Sequence, residues 1–396
     1  MSSKIPLAWT NLTHDPRRLI IAIAGIGFAV MLMFQQRGFR HALFDSTVAV
    51  VEELNADLIV FNRDRFALTS EVRFERDLLD VAQSTPGVES AQPLYMENQL
   101  ARFRTLGNKA RPIRVLAYDF ESDVLLDKTG EISPQHRFLR APGTALMDRL
   151  SKKNYGVDFA KIGHRDDAAE PMSQSAELSG RKLDVVGHFR LGRDFANDGT
   201  LIMSTDNFAH YFGYRGSEPL EKVDLGAIKI AFGQSPGPLI DLISENMGEQ
   251  VLVMTKQQFI QREIDFWARN TPIGVIFAIG AIMGFVVGVI ICYQVLANDI
   301  AEHLGEFATL KAMGYGNLYF LRLVIKQSVY LSLLGFLPGL CFSWLLFQVN
   351  SSFTGLLMNL SYDRILFVLF LTMLMCVMSG LLALRKLLAA DPASLF

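Results

Sequence analysis

TPIGVIFAIGAIMGFVVGVIICYQVLA, residues 271–297, contains no charged side chain. A helix needs roughly 20 apolar residues, within a range of about 17–25, to cross the hydrocarbon core of a bilayer. This run is long enough, and three others flank it. Leu19–Phe34 is extended to an adequate length by Gln35 and Gln36, Gln327–Val349 holds Pro338 in its interior, and Ile365–Leu384 follows. The pattern predicts four membrane helices at 19–36, 271–297, 327–349 and 365–384. Neighbouring helices can satisfy the carbonyl freed by Pro338.

The composition agrees with this division. Half of the 396 residues are hydrophobic and 20% are charged, whereas a soluble domain is about 25% charged. Most of the charge lies between the first and second runs. The net charge of −2 leaves no basic stripe to neutralise phosphates, so nucleic acid is not an expected partner. Cys292, Cys341 and Cys376 all fall inside apolar runs. They predict buried small apolar residues rather than a disulfide framework or a zinc site.

Lys and Arg near the span ends set the expected orientation. Lys4, Arg17 and Arg18 precede the first span, Lys311, Arg322 and Lys326 lie between the second and third, and Arg385 and Lys386 follow the fourth. Segments 1–18, 298–326 and 385–396 are therefore expected on the cytoplasmic side, with 37–270 and the short loop 350–364 outside. The first run has a basic flank but Gln35-Gln36-Arg37 where a small-residue cleavage site would lie, so a retained anchor is expected rather than a signal peptide. Gly280, Gly284 and Gly288 place three glycines on one face of the second span. Small residues at that spacing form a close helix–helix seam, either within the chain or at a dimer axis.

Past the first span the helical pattern continues. Phe39, Leu43, Val50 and Leu54 form a coiled-coil-like stripe interrupted by Ser46, and Lys256–Arg269 is free of Gly and Pro before the second span. Both read as helical stalks. Between them Asp57–Phe61, Ile113–Tyr118, Leu183–Phe189, Leu225–Ala231 and Val251–Met254 read as strands, while Glu71–Ser84 and Pro238–Met247 read as helices. Asp198-Gly199 signals a tight turn before Leu201–Met203. Gly163–Gly180 is polar and reads as a mobile loop. The expected outer domain is α+β, with room for a division into two lobes near 120–150.

Catalytic signatures are missing. There is no G-x-x-x-x-G-K-[ST], H-E-x-x-H, G-x-S-x-G or C-x-x-C, and no two of the seven histidines have the four-residue spacing of a helical metal site. The expectation is no catalytic residue, no metal and no cofactor on this chain. The spans are almost free of charge, which disfavours an ion-coupled transporter. Energy for transport then has to come from another chain.

Asp299–Gly314, DIAEHLGEFATLKAMG, reads as a short amphipathic helix with Ile300, Leu304 and Phe307 on one face. Glu302, Glu306 and Lys311 charge it, Gly305 lies within it, and Gly314 reads as its stop. A helix lying in the lipid interface is usually Lys/Arg-rich on its polar face. This one is acidic in its first half, so it is expected to dock a protein, through Glu306, Phe307, Leu310, Lys311 and Met313.

At this loop a resemblance becomes specific. Glu306–Tyr315, EFATLKAMGY, resembles the coupling-helix motif of FtsX/MacB-type ABC permeases, and the final Asp391-Pro392-Ala393 resembles their ending. Within that superfamily the chain looks most like the DevC family over nearly its whole length. The matching pieces are Ile5-Pro6-Leu7-Ala8-Trp9, Gly38-Phe39-Arg40, Ala42-Leu43-Phe44-Asp45-Ser46 and Asn55-Ala56-Asp57-Leu58. Further on come Leu191-Gly192, Asp198-Gly199, Leu252–Phe259, Met283-Gly284-Phe285, Val287-Gly288-Val289 and Tyr293-Gln294.

The resemblance implies a homodimeric permease in a bacterial inner membrane, both termini cytoplasmic, with a large periplasmic domain. It further implies a separate DevA-like ABC ATPase that binds ATP and magnesium, a DevB-like adaptor of the HlyD type and a TolC-like outer-membrane channel. Known members are linked to glycolipid export. The expected fold is thus a four-helix all-α membrane part plus an α+β extracytoplasmic domain on helical stalks. The expected function is mechanical transmission of ATPase motion, driving export of lipid-like or other envelope substrates. Two rivals are a transmembrane signalling protein controlling a cell-wall hydrolase and a membrane-anchored enzyme.

Overall fold

The computed structural model describes residues 7–162, 172–216, 218–354 and 360–389. The ending at 391–396 and most of the polar loop, 163–171, lie outside them. The chain forms two compact units. One comprises Met1–Ala42, Pro272–Phe353 and Met358–Phe396; the other comprises Leu43–Thr271 and Thr354–Leu357.

The first elements are α1 (Leu7–His14) and α2 (Pro16–Glu52), the latter a single helix of 37 residues. The outer unit then runs β1 (Leu58–Asn62), β2 (Phe74–Glu75), α3 (Asp77–Gln83), β3 (Val88–Glu97), β4 (Arg102–Thr105), β5 (Arg111–Pro112) and β6 (Arg114–Tyr118). It continues with α4 (His136–Leu139), β7 (Thr144–Asp148), β8 (Gln174–Leu178), β9 (Arg181–Phe189), β10 (Thr200–Ser204), α5 (Thr205–Tyr211) and β11 (Lys222–Val223). It closes with β12 (Leu225–Ile230), α6 (Pro236–Met247), β13 (Val251–Thr255) and α7 (Lys256–Arg269). The remaining helices are α8 (Pro272–Glu302), α9 (Leu304–Ala312), α10 (Asn317–Thr354) and α11 (Tyr362–Ala389).

The outer unit is built on one mixed sheet of eleven strands, ordered β13-β1-β12-β3-β6-β10-β7-β9-β8-β4-β5. The pairs β6–β10 and β7–β9 are parallel and the rest antiparallel. Its central strands are buried on both faces, which is why they read as unbroken apolar runs. The two-residue period still sorts them. Leu58 and Val60 face one core, with Leu79 of α3, Phe208 of α5 and Ile243 of α6. Ile59 and Phe61 face the other, with Val50 of α2, Leu54 just beyond its end, Leu139 of α4 and Phe259 of α7. Each fully buried side chain of this size contributes about 1.5–3 kcal/mol.

Several expectations need correction. The sheet joins strands from both halves of the outer sequence, so no lobe boundary falls at 120–150. The described part of the polar loop is ordered: β8 pairs with β9 and β4. The helix expected over Glu71–Ser84 is only α3, because Phe74–Glu75 pairs with β11 instead. The stripe from Phe39 to Leu54 is not one uniform seam. Phe39 and Leu43 are half-buried, whereas Val50 and Leu54 are fully buried in the second core. Lys256–Arg269 is helical as expected, opened by a capping box of Thr255 and Gln258. One of its faces packs on the outer unit's own body, where Phe259 meets Phe61, Phe266 meets Phe66 and Trp267 meets Phe195.

Charge is buried inside this unit. Asp224, 1% exposed, accepts hydrogen bonds from Arg73 Nε at 3.1 Å, Arg215 Nη2 at 2.8 Å and the Met96 amide at 2.8 Å. Arg65, fully buried, donates to the carbonyls of Leu68 and Asp224. Glu263 of α7 accepts from the Leu68 amide and from Trp267 Nε1 at 3.0 Å. The segment between β1 and β2 is thereby fastened to α7.

Among the described residues four helices are long and apolar enough to span a bilayer: α2, α8, α10 and α11. The chain is a multi-pass membrane protein. Its helices approach closely at glycines. A Cβ at Gly335 would lie 2.5 Å from Ile26, and one at Gly339 would lie 2.7 Å from Val30 and 2.8 Å from the Gly27 carbonyl, so α10 meets α2 backbone to backbone. Pro338 sits in the same stretch, inside α10. Cys292 of α8 and Cys376 of α11 are buried with their sulfurs 3.3 Å apart, and Cys341 is exposed. The last is a departure from the expectation of three buried cysteines.

Candidate functional site

The candidate site is the turn of chain between α8 and α10. The sequence reading took 299–314 as one helix, but the structure breaks it. α8 continues to Glu302, His303 leaves helical geometry, and α9 begins at Leu304. His303 is held from the α8 side. His303 donates its amide to the Asp299 carbonyl at 3.2 Å, and its Nδ1 lies 2.9 Å from the same oxygen. Gly305 in the first turn of α9 further disfavours one uninterrupted helix.

The far end of α9 is a Schellman motif. The Tyr315 amide donates to the Leu310 carbonyl and the Gly314 amide to the Lys311 carbonyl, each at 3.1 Å. Gly314 has φ +94°, a left-handed geometry that glycine adopts without strain. Glu306 in the first turn and Lys311 in the last complement the helix dipole.

The base of α9 is tied to two other helices of the unit. Glu302 forms an ion pair with Arg18 at the start of α2. Asp299 accepts a hydrogen bond of 3.1 Å from Gln327 of α10. The end of α8, from which α9 departs, is therefore fastened to α2 and α10 together. Nothing in the spacing of these residues announced the two ties, because each joins segments distant in sequence.

The expected contact residues separate into groups. Ile300 is 4% exposed and lies on the inner face of α8 with Gly284, Gly288, Cys292 and Leu296. It cannot share an accessible face with Leu304, and this part of the expectation is corrected. Glu302 belongs to α8 and is engaged by Arg18. Leu304 and Leu310 are half-buried, while Gly305, Glu306, Lys311, Met313 and Gly314 are exposed. The side chain of Phe307 lies outside the described residues. The sequence reading missed Tyr315 and Leu318, which are exposed beside Met313 and extend an apolar patch past the helix. The signal was present in the Met313–Phe320 run, MGYGNLYF, where apolar side chains surround two glycines. Tyr315 and Tyr319 rings pack at 4.6 Å and stiffen it.

The glycines of α8 face α2 of the same chain. A Cβ at Gly280 would lie 2.6 Å from Gln36, one at Gly284 would touch Leu32 at 3.6 Å, and one at Gly288 would meet Ala29 and Met375. The opposite face of α8 is apolar and exposed, with Ile276, Ile279, Ile282, Met283 and Ile290. Among the described residues no cluster of side chains suits a metal ion.

Comparison with known proteins bears on this same segment. No curated protein sequence matches the chain. The extracellular domain of the noncanonic ABC-type transporter YknZ from Gram-positive bacteria is similar at 9% identity and a TM-score of 0.33, over 50% of this chain and 98% of that one. The periplasmic region of MacB from Actinobacillus actinomycetemcomitans is similar at 12% identity and a TM-score of 0.36, over 53% of this chain and 92% of that one. Residues 277–392, which hold most of α8 and all of α9, α10 and α11, match the family of the FtsX-like permease C-terminal domain.

Proposed function

We propose that the chain is the permease subunit of an ABC-type exporter and that its ATPase is a separate subunit docking on α9. The observation that carries this reading is the segment matching the FtsX-like permease domain. That segment presents a short helix, charged and apolar on its exposed side, braced at its base against two spans. A lever needs both properties: a surface to be pushed and a stiff connection to what it moves. A partner that binds the two positions of such a lever unequally shifts their balance.

In this reading α9 and both termini face the cytoplasm, and the sheet domain faces the periplasm of a bacterial inner membrane. Two copies of the chain carry two DevA-like ATPases, which bind ATP and magnesium. The sheet domain works with a DevB-like adaptor of the HlyD type and a TolC-like channel. Substrates of lipid-like or other envelope character enter from the periplasm or the outer leaflet, since the apolar runs of the spans are almost free of charge. The glycolipid class follows from the DevC resemblance alone.

The test is isolation of the full chain in mild detergent, with identification of what accompanies it. An ABC ATPase and a periplasmic adaptor are expected. Lys311→Glu and Met313→Asp, both at exposed positions, are expected to lower ATPase recovery at least tenfold while the permease stays in the membrane. Recovery of a cell-wall hydrolase in place of the adaptor overturns the exporter reading in favour of signalling. Undiminished ATPase recovery in both variants overturns the docking site.

A further inference from the structure

A cleft of about 420 Å³ opens in the membrane unit where α1 and α2 meet the end of α8. Its volume is within the range of small-molecule sites. One wall is apolar, formed by Leu12, Leu19, Ala22, Val295 and Leu296. The rim is charged, formed by Asp15, Arg18, Asp299 and Glu302, with His14 and His303 beside them. Ile21 also lines it and is 67% exposed, next to the equally exposed Ile20 on the lipid-facing side of α2. The cleft therefore lies at the ends of two spans, where an apolar wall beside a charged rim suits the boundary between hydrocarbon and water.

The rim charge is unbalanced. Arg18 is engaged by Asp15 at 3.1 Å and by Glu302. Two of the three rim carboxylates share this guanidinium, and the third, Asp299, lies 3.7 Å from His303 Nδ1. Asp299 also draws on Gln327, which is fully buried and whose Oε1 receives no hydrogen bond among the described residues. Among the described rim residues three carboxylates face one guanidinium and two histidines, and a ligand that completes the rim brings positive charge. An apolar wall beneath such a rim calls for a chain attached to that cation. Arg18, held by Asp15 and Glu302, and His14 lie beside it, and a cation that takes over Glu302 leaves Arg18 facing a neighbouring anion.

We propose that this cleft is a binding site for a bilayer phospholipid with a primary ammonium headgroup, phosphatidylethanolamine being the probe. The ammonium meets Asp299 and Glu302, the phosphate meets Arg18, and an acyl chain leaves past Ile21. Phosphatidylcholine has the same charge but no N–H donors, and phosphatidylglycerol has no cation at all. Because Glu302 and His303 are the residues from which α9 departs, an occupant braces the base of that helix.

The full chain is reconstituted into nanodiscs holding equal parts of phosphatidylethanolamine, phosphatidylcholine and phosphatidylglycerol. It is then stripped with detergent, and the retained lipid is counted by native mass spectrometry. The wild type is expected to keep phosphatidylethanolamine over each of the others by at least tenfold. Asp299→Asn and Glu302→Gln are expected to reduce the preference below threefold. Ile21→Trp, at an exposed position that does not support the fold, is expected to block retention by filling the mouth. Glu306→Gln on α9 is expected to leave it unchanged. Equal retention of the three lipids overturns the proposal, as does a preference that survives both the carboxylate variants and Ile21→Trp. Displacement by glycerophosphoethanolamine with no lipid retained assigns the site to a soluble amine and overturns the lipid assignment.

Discussion

The outer unit buries charge, while the membrane unit keeps it outside its apolar runs. In the sheet domain Asp224 gathers Arg65, Arg73 and Arg215 in a site closed to water. In the bundle the close approaches are made by Gly27, Gly335 and Gly339, and the buried hydroxyls of Ser343 and Thr372 return to carbonyls of their own helices at 2.7 Å. The difference follows from the surroundings. A soluble domain gains from apolar burial and can hold a few ion pairs if each is fully satisfied. Spans in lipid gain little from apolar burial against each other, so shape has to specify their packing. One unit should therefore fail when a charge is removed, and the other when a methyl group is added.

The largest expected effect is Asp224→Ala. It takes the shared carboxylate from three guanidinium groups, leaving Arg65 and Arg215 only backbone carbonyls and Arg73 its contacts with Glu71 and Glu97, and breaking a buried ionic site by removing one partner costs about 3–5 kcal/mol. Hydrogen exchange on the full chain in detergent should show β3 and β12 losing protection while α8 and α10 keep theirs. Next is Gly339→Ala, whose Cβ would meet Val30 and the Gly27 carbonyl. Overpacking of this kind costs about 1–3 kcal/mol, read as a lower thermal midpoint of the detergent-solubilised chain. Gly284→Ala is the sharpening control. Its Cβ would sit at ordinary contact distance, 3.6 Å from Leu32, so the helix preference for alanine of about 0.8–1.0 kcal/mol should leave it neutral or stabilising.

The smallest effect is a pH dependence. Burial raises the Glu263 carboxyl above the ordinary glutamate value of 4.5, against hydrogen bonds from Leu68 and Trp267 and the fields of Arg65 and Arg262. The folded state then holds this proton more tightly than the unfolded state. Its contribution to stability rises as pH falls through the raised value and is complete below 4.5. Glu263→Gln keeps an acceptor for Leu68 and removes the titration. The expected outcome is that protection of the Leu68 amide improves from neutral toward mildly acidic pH in the wild type and stays level in the variant.

Legibility in the sequence followed the same division. The four spans could be read because each is a long, local run, whereas the break between α7 and α8 at Asn270–Thr271 was not read. Strands β1, β6, β9, β12 and β13 were legible from β-branched runs. β3, β4 and β8 were not, because Pro93, Arg102, Arg104 and Glu177 interrupt their pattern and tertiary pairing supplies what propensity lacks. At the candidate site the acidic start, the Lys311 end and the Gly314 stop of α9 could be read locally. The break at His303 and the ties from Arg18 and Gln327 could not, since they depend on side chains meeting across the bundle.

The central claim is that α9 lies on the cytoplasmic side and is pressed by an ATPase, and cross-linking at Met313 tests it most directly. Met313→Cys in a Cys341→Ser background places one accessible thiol at the end of α9. The account predicts that in cells this thiol joins a cysteine-bearing ATPase surface in a nucleotide-dependent way, and that a membrane-impermeant maleimide reaches it only after the inner membrane is opened. Labelling of intact spheroplasts from the periplasmic side, or a working complex in which no ATPase can be joined to it, contradicts the account.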